Sequence, residues 1–193
     1  MDEDGRIVIA APTRRARLYG LGRLLREPSF RGREAPVQSV RGIYFATHFG
    51  NWYDYASEAE LRAYIEELAL WGCNQVRVWL DMHDYTGADD PRIRAKAARL
   101  KTILAMTAEC GLEPSLLVLA NEAFAGSPEA LRADWRGGQN GYDRNLAGHY
   151  HVELCPSKPG GLELILKERE AVLDLFADVS VGSVCIFPYD QGG

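Results

Sequence analysis

Short apolar runs alternate along this chain with longer stretches whose apolar residues recur every third or fourth position. The runs are Ile43–Ala46, Gln75–Leu80, Ser115–Ala120 and Ser183–Phe187, and they read as buried strands. The periodic stretches read as helices. Glu58–Trp71 gathers Leu61, Tyr64, Ile65 and Leu68 on one face, and the segment from Asp90 to about Cys110 gathers Ile93, Ala97, Leu100, Leu104 and Ala108. A third helix is expected over Leu162–Ala177. Local chemistry agrees with these boundaries. Ser57-Glu-Ala-Glu60 has capping-box spacing, Asp90 and Pro91 suit the N-cap and first helical position, and Gly72 and Gly111 are natural helix stops. Four strands separated by three helices predict a curved parallel sheet joined by right-handed crossovers.

Two regions depart from that rhythm. Before it, Arg6–Ala10 reads as a strand and Thr13–Glu27 as a helix with a stripe of Leu18, Leu21, Leu24 and Leu25. Gly20 and Gly22 within that helix suit the close approach of a neighbour. Residues 28–39, with Pro28, Gly32 and Pro36, read as a linker. Within it, the connection from Asn121 to Gly161 has no long periodic segment but carries Phe124, Trp135, Tyr142 and the His149-Tyr-His151 triplet. Long connections in compact domains are usually functional or disordered, and the aromatic content here predicts an ordered binding loop.

Composition narrows the partners. With 193 residues, 47% hydrophobic, 25% charged and a net charge of -5, the chain is an ordinary globular domain. The acidic balance offers no electrostatic basis for binding nucleic acid or an anionic membrane, and no apolar run is long enough to span a bilayer. Met1-Asp-Glu-Asp4 is the opposite of a basic signal-peptide start. The four cysteines form no CxxC pair and read as mostly buried thiols. No glycine-rich phosphate loop follows any strand, so no nucleotide cofactor is expected.

Polar and aromatic residues collect where the strands end, the place where parallel α/β folds put their chemistry. After the first strand come His48 and Asn51, beside Trp52 and Tyr53. They read either as hydrogen-bonding groups for sugar hydroxyls or as loop caps. After the second come Asp81, His83 and Asp84, which suit a polyol or, failing that, cap a turn. One histidine with aspartates at loose spacing does not by itself predict a metal site. After the third comes Asn121-Glu122, and Trp135 and Tyr142 in the long connection are rings of the kind that stack on sugar faces or pack a loop.

Several stretches resemble glycoside hydrolases of the β-hexosaminidase (family 20) type and their α-glucuronidase-like relatives. The carriers are the helix motif of Leu18–Leu25, the Arg41-Gly42 pair opening the first strand, the run from Tyr64 to Asp81, and Cys185 to Gly193. The resemblance implies a partial (β/α)8 TIM barrel of about four parallel strands with helices. It divides the chain into residues 1–39, a strand–helix remnant of a preceding α/β domain, and residues 40–193, the first half of the barrel. It also implies a carbohydrate partner, hydrolysis of O-glycosyl bonds in a longer parent, no cofactor, and relatives that are often exported.

By the same resemblance Asp190 is the catalytic carboxylate. Glu122 follows the third strand rather than the fourth, where such barrels present an acid/base Glu, and so reads as a substrate contact, a support for one, or simply a solvated loop residue. Two departures stand out. Phe45-Ala-Thr-His-Phe49 lacks the family's Asp and sugar-binding Arg, and Asp190-Gln191 replaces its adjacent Asp-Glu. These departures point to an inactive isolated chain and keep a non-catalytic carbohydrate-binding or scaffold protein, or an unrelated α/β enzyme with a small open sheet, as alternatives. An open half-barrel would also self-associate.

Overall fold

The computed structural model describes residues 6–48, 50–133 and 152–187. Strands β1 (Gly42–Phe45), β2 (Gln75–Trp79), β3 (Glu113–Leu119) and β6 (Ser183–Phe187) form one parallel sheet in the order β1-β2-β3-β6. Neighbours along the chain are neighbours in space, as in a (β/α)8 barrel. The register places Ile43 beside Val76, Val78 beside Leu116 and Leu116 beside Val184.

Because strand side chains alternate, that register sorts the residues into two faces. Ile43, Phe45, Val76, Val78 and Leu116 pack with Leu61, Ile65, Leu100 and Leu104 of the helices. The opposite face carries Tyr44, Arg77, Ser115 and Ser183 in one row, and Trp79, Leu117 and Cys185 in the next. In a closed barrel that face is the interior, filled in such layers. Its lower part is polar and internally bonded: Arg77 donates to Ser115 at 3.2 Å and to Gln75 at 2.8 Å, and Gln75 donates to Glu113 at 3.0 Å. Trp79, Leu117 and Leu119 close the upper part as a small apolar cluster.

The helices begin and end where the capping chemistry places them. Helix α3 (Glu58–Leu70) opens on the reciprocal Ser57–Glu60 capping box, and α4 (Pro91–Glu109) opens on Asp90, whose side chain accepts from the Arg92 amide. Both are followed by a glycine with positive φ, Gly72 at 95° and Gly111 at 78°. Helix α1 (Arg14–Arg26) lies against α3 so closely that a Cβ on Gly22 would meet the Leu70 carbonyl oxygen at 1.8 Å. Arg26 and Tyr19 fasten it by donating to the carbonyls of Leu70 at 2.8 Å and Cys73 at 3.2 Å.

Two expectations need correction. Residues 6–10 form no strand: Ile7 and Val8 stay exposed, and a strand exists only where its backbone groups pair with a neighbour. The long connection holds no long periodic segment among its described residues, but β4 (Glu122–Ala123) pairs antiparallel with β5 (Val152–Glu153) over a satellite core of Ala123, Val152, Leu154 and Ile165, the last from α5 (Gly161–Asp174). Two-residue strands are too short to show periodicity. The cysteines are free thiols but partly, rather than fully, buried. Trp135, Tyr142 and Asp190 lie outside the described residues.

Candidate functional site

The site is built where β1, β2 and β3 end. Past Phe45, Thr47 turns inward and is fully buried. Its hydroxyl donates to the Trp79 carbonyl at 2.8 Å and accepts from the Trp79 amide at 3.2 Å, joining the ends of β1 and β2 where their ladder stops. That fastening sets His48 edge-on to the Trp79 indole, 4.7 Å between centroids at 64°. His48 Nδ1 also shares a hydrogen bond with the Tyr44 hydroxyl at 3.0 Å.

Asn51 shapes the loop that follows. Its Oδ1 accepts from the Tyr53 amide at 3.2 Å, capping the one-turn helix α2 (Trp52–Tyr55), and its Nδ2 donates to the carbonyls of Ala46 and of His48, the latter at 3.1 Å. Both ends of its side chain are therefore engaged with backbone. Asn51, Trp52, Tyr53 and Tyr64 line an open depression of about 500 Å³ next to this loop. Trp52 is 45% exposed there, meeting Tyr53 and Tyr64 edge-on.

Glu122 is the anchor of the rim. It is 1% exposed, and its carboxylate accepts from three groups: Met82 N at 2.8 Å and His83 Nδ1 at 3.0 Å on Oε1, and Trp79 Nε1 at 3.1 Å on Oε2. Arg169 of α5 supports it from below, donating to the Glu122 carbonyl and reaching the Met82 sulfur. A continuous chain of contacts thus runs Tyr44–His48–Trp79–Glu122–His83 across three strand ends. Glu122 holds the neighbouring rings in place while its own carboxylate is covered.

Beyond β2, Asp81 precedes a single 3₁₀ turn, Met82–Asp84. Asp81 is 3% exposed, and its Oδ1 has no hydrogen-bond partner among the described residues. Burial pushes its carboxyl up to about 7, with Lys96 opposing and Asp84 adding to the shift. His83 Nε2 faces Asp84 Oδ1 at 3.6 Å. Burial alone would lower the His83 imidazole, but the bond to Glu122 and the charges of Glu122, Asp84 and Asp81 outweigh it and hold the ring above its ordinary value. Burial keeps His48 below its ordinary value, against the charge of Asp54. Lys96 is paired with Asp54 at 2.5 Å.

Of the residues singled out in the sequence, the structure thus gathers His48, Asp81, His83, Asp84 and Glu122 at one rim, with Asn51 behind its first loop. Sequence reasoning missed Tyr44 and Trp79, although both occupy the alternate strand positions that face away from the helices. It also missed Lys96 and Arg169, which sit inside amphipathic helices and carry no local signal.

A parallel sheet laid down in chain order and alternating with helices, with polar groups at its strand ends, defines a partial (β/α)8-barrel-like fold. The crystal structure of a β-N-acetylhexosaminidase shares it, with a TM-score of 0.55 and 17% identity over 93% of this chain and 44% of that one. At that identity the likeness shows the fold alone, and this chain spans less than half the length of that structure. No family model matches the sequence, and no curated protein matches it.

Proposed function

We propose that this chain belongs to a carbohydrate-active, glycoside hydrolase-like protein and that the rim at the ends of β1, β2 and β3 contacts the sugar. The observation that carries the reading is the continuous network from Tyr44 to His83 on a fold shared with a hexosaminidase. Sugars present hydroxyls to carboxylates and imidazoles and CH faces to aromatic rings. The rim offers both: His48 and the exposed Asp84, backed by the buried Asp81 and His83, for the first, and the exposed Trp52 ring beside the first loop for the second. On this reading Glu122 positions rather than touches the sugar, Trp135 and Tyr142 add stacking faces, residues 1–39 are the tail of a preceding domain, and 40–193 are the first half of a barrel.

Cleavage of a glycosidic bond needs a proton donor to the leaving oxygen and a second group at the anomeric centre. We assign Asp190 as the catalytic carboxylate that orients substrate. The adjacent position holds Gln191, an amide with no acidic proton to give. General acid catalysis contributes about 10²–10⁴-fold, so the chain alone would bind sugar but turn over no glycoside at a useful rate. In a complete barrel the donor would come from a strand beyond β6. Gln191 equally favours the second reading, a non-catalytic carbohydrate-binding protein.

A panel of aryl glycosides, including an N-acetylglucosaminide and a glucuronide, tests this beside calorimetric titration with the matching methyl glycosides. Binding without turnover is expected. Turnover above background that Asp190→Asn abolishes would show the chain to be a self-sufficient enzyme and overturn the assignment. Absence of binding to every sugar would end the carbohydrate reading.

A further inference from the structure

We propose that Asp81, His83 and Asp84 hold a first-row divalent cation, zinc foremost, at the C-terminal end of β2. One ligand atom from each of the three lies within 4.8 Å of the other two. His83 Nε2 and Asp84 Oδ1 are 3.6 Å apart, and two ligands on a tetrahedral zinc with bonds of about 2.1 Å sit roughly 3.4 Å apart.

Proximity alone would not make this a site, but three further observations point to a cation. First, Asp81 is 97% removed from solvent, at 3% exposure, yet its Oδ1 has no hydrogen-bond partner among the described residues. A buried carboxylate oxygen without a donor is costly, and a metal ion supplies the missing positive partner. Second, His83 Nδ1 is bonded at 3.0 Å to Glu122, which is itself fixed by Trp79 Nε1 and Met82 N. A carboxylate behind one ring nitrogen orients the imidazole and makes the other a better ligand, the arrangement common to metal-binding histidines. Third, the Asp84 side chain is 60% exposed, so a hydrated ion has a way in and one ligand has room to adjust.

The cations around the cluster are already paired: Lys96 with Asp54 at 2.5 Å and Arg92 with Asp90 at 2.6 Å. The donor set chooses among metals. Calcium takes six to eight oxygens and magnesium prefers an oxygen octahedron, whereas one imidazole with two carboxylates suits zinc, with manganese weaker.

The inference concerns the same rim but does not rest on the sugar reading, and the test contains no carbohydrate, so the two fail separately. Chelator-treated protein is dialysed against zinc, manganese, calcium or magnesium, and bound metal is counted by mass spectrometry alongside thermal melts. One equivalent of zinc and a raised melting temperature are expected. Asp84→Ala, at an exposed position, and Asp81→Asn should each weaken zinc by about tenfold or more, and Glu122→Gln, which removes no ligand, by about 10–100-fold. Circular dichroism checks that each variant is folded. Cobalt substitution separates this site from the four thiols, since only the thiols would give a thiolate charge-transfer band. Failure of the folded wild-type chain to bind an equivalent of zinc, zinc affinity unchanged in both aspartate variants, or a thiolate band would each overturn the proposal.

Discussion

Removing the Glu122 carboxylate would leave the Trp79 indole N–H, the Met82 amide and His83 Nδ1 facing a void in the buried rim. Orphaning buried partners of a charged group costs about 3 kcal/mol, so Glu122→Ala should lose stability of that order in urea or guanidinium titration, well beyond an exposed substitution such as Glu170→Ala. A loss within a few tenths of a kcal/mol would show that the network does not hold the rim. His48 gives a pH signature. Its folded value lies below the ordinary 6.5, so the unfolded chain binds more protons between the two. Its contribution to stability is therefore complete above the unfolded value and lost as pH falls through the folded one. NMR titration of metal-free protein should find this imidazole titrating below 6.5, and a value above it would contradict the burial seen here. The sequence located these residues along the fold better than it described their surroundings. Carboxylates and histidines at strand ends were legible from the strand pattern. That Glu122 would face inward while Asp84 faces solvent was not, because it depends on Trp79 and Arg169 arriving from other elements.

The helices and strands follow local chemistry, and two of them offer clean tests. Ser57 accepts from the Glu60 amide at 3.2 Å while Glu60 returns a bond to the Ser57 amide at 2.8 Å. Ser57→Ala removes one half of that box and should cost about 1 kcal/mol, read as a lower denaturation midpoint with unchanged slope. The glycine at 22 reads differently. A methyl group there would meet the Leu70 carbonyl, which is backbone and cannot rotate away. Although alanine is the better helix former, Gly22→Ala should destabilise the packing of α1 on α3 by about 1–3 kcal/mol. Stabilisation instead would mean that α1 does not sit there. Caps, glycine stops and the 3.6-residue stripe made these helices readable. The strand expected over 6–10 failed for the opposite reason: its apolar run was present, but strand formation needs a partner that sequence pattern cannot supply.

Among the described residues the sheet has unpaired edges at β1 and β6, and β6 is exposed on both faces: Val184 and Ile186 on the helix side, Phe187 on the other. Unpaired edge strands with apolar side chains promote association. Light scattering coupled to size exclusion should show mass rising with concentration, and Ile186→Lys should shift the chain toward monomer. A strict monomer at high concentration would count against an open edge. The barrel-like order was legible because strand, helix and glycine stop recur from β1 through β3, with stops at Gly72 and Gly111, before the longer connection to β6.

If the strand C-terminal ends face carbohydrate, as proposed, backbone-amide NMR will register the sugar there. Titration with the methyl glycosides of N-acetylglucosamine and glucuronic acid should shift resonances of Thr47–His48, Asp81–Asp84 and Asn121–Glu122. The opposite ends of the same strands, Cys73–Asn74, Gly111–Leu112 and Val181–Gly182, should stay still. Shifts confined to those opposite ends, or none with any sugar, would show that this rim does not bind carbohydrate.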